Sequence, residues 1–278
     1  MKTLVFLFDK LNSIWSHQIT ARLLSNILII IFAVVLGAVA LNHLNIFSLR
    51  FEHTDNYFLA VDASFTALLI FEILGLIFVL PRSVADSVGK QFEILSIILL
   101  RATFKEFGHI SSLLVGQHFE FSLLLPMLSD AIGALIIFAI IGYYYRIQKH
   151  SRITKSVREQ SRFIQFKKVI SLLLLISFLM IGAGDIKELV TSGHYDPSFN
   201  AFYTILIFAD ILILLYSLRY HSQYTNLFRY SSFAFATVLI RLSLSAPPFI
   251  NAITGVAAGV FVLGLTFVYN NFKDGISE

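Results

Sequence analysis

The 278-residue chain contains no cysteine. That excludes disulfides, thiolate nucleophiles and cysteine-held metals, and leaves the redox compartment open because a membrane bundle needs no staples. Charge is also scarce, with Asp, Glu, Lys and Arg at 14% of residues against about 25% in soluble domains. No GxxxxGK[ST], HExxH, dinucleotide fingerprint or TVGYG filter occurs, so the common phosphate cradles, zincin sites and potassium filters have no footing. The eight histidines fall outside the long apolar runs or near their ends, and no metal-ligand spacing joins them. No nucleophile and base can be paired. The expectation is therefore a protein that is not an enzyme and has no cofactor and no metal.

What the chain has in excess is apolar surface. Hydrophobic residues make up 57% of it and the mean hydropathy is +0.79, which places it in a bilayer. Runs near the ~20 residues that a crossing requires lie at 23–44, 57–80, 92–110, 121–145, 169–185, 201–218, 229–244 and 248–269. The fold class read from them is all-α, a polytopic membrane protein with eight transmembrane helices. Residues 1–22 come before the first run, with Phe8, Leu11 and Trp15 at helical spacing. They read as a helix lying in the membrane interface.

Lysines and arginines set the orientation. With the N-terminus cytoplasmic, sixteen fall on inner segments and only Arg50, Lys105 and Lys187 on outer ones, an asymmetry that puts both termini in the cytoplasm. Eight of the sixteen lie in a linker at 146–168. The linker separates four spans (23–145) from four (169–270), with a short tail at 271–278. An even number of spans per half makes the halves a parallel repeat, here two tandem four-helix bundles.

The repeat is visible in its intramembrane charges. Glu72 and Arg101 in the first half are echoed by Asp210 and Arg241, 138 and 140 residues later. Glu72 and Arg101 lie at matching depth, about 12 and 14 Å from the inner ends of their spans, so each half is expected to hold an acid–arginine pair. Asp130 and Asn251 occupy corresponding positions in the last span of each half. The first half would then carry two acids to one arginine, and a surplus carboxylate attracts a proton or cation. Pro126 is expected to kink its span, and Pro247 and Pro248 to open the final one.

These polar positions carry a resemblance. FEILGLIFVLPRSVADSVGKQFEILSIILLRATF and SDAIGALIIFAIIGYYYR, echoed by ADILILLYSLRY, RYSSFAFATVLIR and NAITGVAAGVFVLGLTFVY, resemble the phosphate-starvation-inducible E (PsiE) family of small four-helix bacterial membrane proteins, here as two tandem copies. The outer insertion in the first copy and Asn251 in place of an acid depart from a plain duplication. The resemblance implies a stress-associated protein of the bacterial inner membrane. The outline also looks like a pair of voltage-sensor-type bundles, but the fourth span has no arginine within it, and a sensor requires several. Arg146, Lys149, Arg152, Lys155 and Arg158 recur at every third position with Arg162 close behind. They read as a cytoplasmic stripe on anionic lipid headgroups, each residue contributing about 1 kcal/mol, and nucleic acid is not an expected partner.

Two functions follow from the sequence. One is a non-enzymatic membrane protein of an envelope or stress response that packs with a second copy or another membrane protein. The other is a proton or ion pathway through the first half, using Glu72, Asp130 and Arg101.

Overall fold

The computed structural model describes residues 2–44, 57–82, 84–113, 124–148, 157–192, 198–219 and 224–274. Among them it has nine helices and no strand: α1 (Lys2–Trp15), α2 (Gln18–His43), α3 (Phe58–Val79), α4 (Val84–Leu113), α5 (Leu124–Ile147), α6 (Val157–Ser192), α7 (Phe199–Leu218), α8 (Tyr224–Ser245) and α9 (Ile250–Asp274). Seven of these, all but α1 and α4, are long and apolar enough to cross a membrane.

The eighth expected span falls on α4, whose 30 residues are long enough but include Asp86, Lys90, Glu93 and Arg101. Its surroundings account for that polarity. From Ala85 to Leu99 no residue of α4 is exposed, and the helix packs against α3, α5, α8 and α9. A helix covered by protein meets little lipid, so it can keep charges provided they find partners. The opposite case is α2, where Ile29, Ile30 and Val34 are exposed and Val39 is the buried residue.

Two apolar clusters form the core, and each draws on both halves of the chain. One joins α4 and α5 to α8 and α9 through Phe92, Leu95, Ile137, Phe233, Ile240 and Val262. The other joins α3 to α6 and α7 through Ile73, Ile77, Phe163, Leu174, Phe202 and Leu206. Both clusters thus take residues from each side of the expected 146–168 linker, and the packing crosses it. Equivalent helices meet directly, α4 with α8 and α5 with α9. The α5–α9 contact is made close by small residues. A Cβ built on Gly133 would stand 2.7 Å from the Ala252 Cβ, and one on Gly259 would stand 3.0 Å from Ile140. Small residues are what let membrane helices approach this closely.

Several boundaries move. Helix α2 begins at Gln18 rather than 23, and α6 begins at Val157, inside the expected 146–168 linker. Arg146, Arg158 and Arg162 are exposed on helix ends, whereas Lys149, Arg152 and Lys155 lie outside the described residues. Helix α9 runs on to Asp274, into the expected tail. Pro126 sits in the first turn of α5, where backbone N–H groups have no intrahelical partner and proline costs little. It therefore starts a helix rather than kinking one.

Helix α1 is docked rather than free. Phe8 is 2% exposed, and the Phe8 and Trp15 rings lie 5.8 and 5.3 Å from Phe78 on α3. Asp9 accepts from Lys168 Nζ on α6 at 2.6 Å. Other helix ends are tied together on the same side. Lys167 Nζ donates to the carbonyls of Leu80 and Arg82, each at 3.2 Å. Tyr144 donates to the Ala85 carbonyl at 2.9 Å, and Asn270 to that of Ile147 at 2.8 Å.

Candidate functional site: a buried polar column

The Glu72–Arg101 pair expected in the first half does not form. Glu72 meets Lys90 Nζ at 2.5 Å, and the same ammonium donates to Glu93 at 3.0 Å. Tyr145 donates to the other Glu93 oxygen at 2.7 Å. Lys90 reads as a loop lysine in the sequence, but α4 starts at Val84, which places Lys90 nearly two turns into the helix and facing α3. Its ammonium is thereby held between two carboxylates, which offset the cost of burying its charge. Arg101 donates instead to Asp62 and Thr66 on α3, both at 2.8 Å. Asp62 and Thr66 are four residues apart, hence on one helix face, the signal that would have found them.

Asp130 is 1% exposed on α5. Asn251, its sequence counterpart, is engaged locally: its Oδ1 accepts from Ala252 N at 2.6 Å and its carbonyl from Ser243 Oγ at 2.6 Å. It shapes the first turn of α9 and does not take the place of a charge.

The second pair is where the sequence puts it, but it is held apart. Arg241, 4% exposed, lies over the Tyr203 ring at 5.3 Å. Asp210 interacts with it electrostatically, with Gln91 and Thr237 beside the carboxylate. Yet Asp210 Oδ2, Arg241 Nε and Arg241 Nη2 are all enclosed without a hydrogen-bond partner. Ser87 Oγ and both side-chain polar atoms of Gln91 are in the same condition. Buried polar atoms nearly always have a protein or water partner, so these atoms are where bound water would be expected.

These residues form a column along α4, α7 and α8. Ser87, Gln91 and Arg101 lie on α4; Ser217, Asp210 and Tyr203 on α7; Tyr230, Thr237 and Arg241 on α8. Ser87 to Arg101 and Ser217 to Tyr203 are each fourteen residues, about 21 Å at 1.5 Å per residue, or some two thirds of a ~30 Å hydrocarbon core. A cavity of ≈ 30 Å³ lined by Ser87, Lys167, Asp210, Ser217, Tyr230 and Thr237 lies at one end, large enough for a water molecule. Lys167, 1% exposed, closes this end with its ammonium 5.4 Å from the Phe163 ring centroid. The other end reaches Arg101, whose charge also acts on Tyr203.

Gln91, Thr237, Ser87, Tyr203 and Lys167 are not singled out by the sequence. Thr237 and Arg241, like Ser87 and Gln91, are four apart and share a helix face, a spacing that offers the one local clue. That side chains of α4 and α7 line one cavity across the two halves is a matter of tertiary packing. The chain matches no protein-family model, no curated protein and no solved structure.

Proposed function

We propose that this chain is a multi-pass protein of the bacterial inner membrane, with α4 as an eighth, central span, and that the buried column relays protons. The observation that carries this is the separation of Asp210 from Arg241, each with enclosed polar atoms that have no protein partner. Water joining those atoms would link the cavity beside Lys167 to Tyr203 and Arg101. A carboxyl group in such a file is the side chain able to take up and release a proton, and buried acid chains of this kind are how membrane proteins build proton relays. The site of the relay thereby moves from the first half, where the sequence suggests Glu72 and Asp130, to the seam between the halves.

The test is proton flux into liposomes carrying the purified protein, driven by a potassium diffusion potential and read with an enclosed pH dye. Wild type should acidify faster than protein-free vesicles. Asp210→Asn should fall to the protein-free rate, Asp210→Glu should retain flux, and Glu72→Gln should match wild type. Folded wild type no faster than empty vesicles would overturn the relay.

A second reading is favoured by the other charges. Arg101 with Asp62 and Thr66, and Lys90 with Glu72 and Glu93, form ion pairs and hydrogen bonds between helices, as charges that lock helices together would. On that reading the protein is a PsiE-like component of an envelope or stress response that works by packing against a second copy or another membrane protein.

A further inference from the structure

A groove of ≈ 460 Å³ lies between α1, α2 and α3, away from the column, and we propose that it is a specific site for one anionic glycerophospholipid. The proposal goes beyond the proton relay and does not depend on it. The groove is polar at its mouth and along one wall and apolar at its far end. Asn12, Ser16 and Arg82 stand at its mouth, beside α1, and Leu28 and Leu68 at its far end. From Val79 to Leu68 along α3 is eleven residues, about 16 Å.

A hydrocarbon chain alone would not suit this groove. The Glu72–Lys90 ion pair opens into its wall, with 21% and 23% of the two side chains accessible, about 10 Å from Val79 by the seven intervening steps of α3. An ion pair facing bare hydrocarbon is costly. A glycerophospholipid supplies polar atoms at the mouth and along the wall and a chain below them. Arg82 is exposed and has no ion pair among the described residues, so its guanidinium is free for the phosphate, while Lys90 faces the glycerol esters. Leu24, Leu28 and Leu68 would line the acyl chain. Basic pockets between membrane helices are the usual seats of anionic headgroups.

Trp15, the one tryptophan of the chain, lines the groove and reports on its occupancy. In an uncharged detergent, dibrominated phosphatidylglycerol should quench Trp15 emission along a saturating curve. Arg82→Gln should raise the half-saturating concentration about fivefold, as loss of one basic contact implies. Gly75→Leu should abolish saturable quenching by filling the groove. A Cβ at Gly75 meets Lys90 Cε at 3.5 Å and Trp15 at 3.9 Å, ordinary contacts that the fold accommodates. Excess inorganic phosphate should not compete. Equal, non-saturating quenching in all three proteins would reduce the groove to ordinary boundary lipid. Competition by phosphate would make it an anion site and not a lipid site. Either result overturns the proposal.

Discussion

Arg241→Leu should lower stability by about 3–5 kcal/mol, the cost of leaving a buried charge without its partner, and Arg101→Leu by about 1 kcal/mol or less. The two arginines stand in corresponding sequence positions, 140 residues apart, but in different environments. Arg241 is 4% exposed and its charge is what offsets the enclosed Asp210. Removing it strands a carboxylate between α4, α7 and α8. Arg101 pairs with Asp62, whose side chain is 41% exposed, and an acid with that much access keeps much of its solvation when the arginine is gone. Thermal unfolding in detergent, read as loss of the monodisperse peak on gel filtration, separates the two outcomes. Adding Asp210→Asn to Arg241→Leu should restore most of the loss, because the stranded charge is then absent. Equal loss from Arg101→Leu and Arg241→Leu would show that the two sites are energetically alike, against the geometry.

Gly133→Ala should cost about 1–3 kcal/mol, the usual range for overpacking a tight contact. The added methyl would lie 2.7 Å from the Ala252 Cβ and 3.3 Å from its Cα. Neither atom can rotate away, so α5 and α9 must separate. Ala252→Gly opens the space and should recover most of the loss in the double variant, with a coupling energy well above the error of additivity. Gly142 is the control, since nothing lies within 4 Å of a Cβ built there. Gly142→Ala should be neutral or slightly stabilising, as alanine is in an open helical position. Double-variant stability no better than Gly133→Ala alone would place the strain elsewhere than this contact.

The spans were legible because a bilayer imposes a length and a composition on every helix that crosses it. Residues 57–80 and 201–218 in the sequence return as Phe58–Val79 and Phe199–Leu218 for that reason. Helix α4 was harder, because its polarity makes sense only once α3, α5, α8 and α9 are seen around it. The charges separated along the same line. Asp210 and Arg241 are identifiable as unusual from their depth alone. Their neighbour Gln91 comes from the other half, and no local pattern announces a contact across more than a hundred residues. Lys90 and Lys167 were hidden for another reason. Each precedes a long apolar run and so counts as a loop cation, although the helix has already begun and turns it inward.

The enclosure of α4 also bears on how the protein is made. Each charge at the centre of a lone helix adds roughly 2.5–3.5 kcal/mol to the cost of membrane insertion, and α4 carries Lys90, Glu93 and Arg101 in or beside its apolar stretch. Alone it would partition poorly, whereas paired with α3 it brings Lys90 to Glu72 and Arg101 to Asp62 before lipid is met. On the proposed eight-span reading, insertion as an α3–α4 hairpin is therefore less costly than insertion of α4 alone. The remaining flank of α4 is covered by α8 and α9, which come later in the chain.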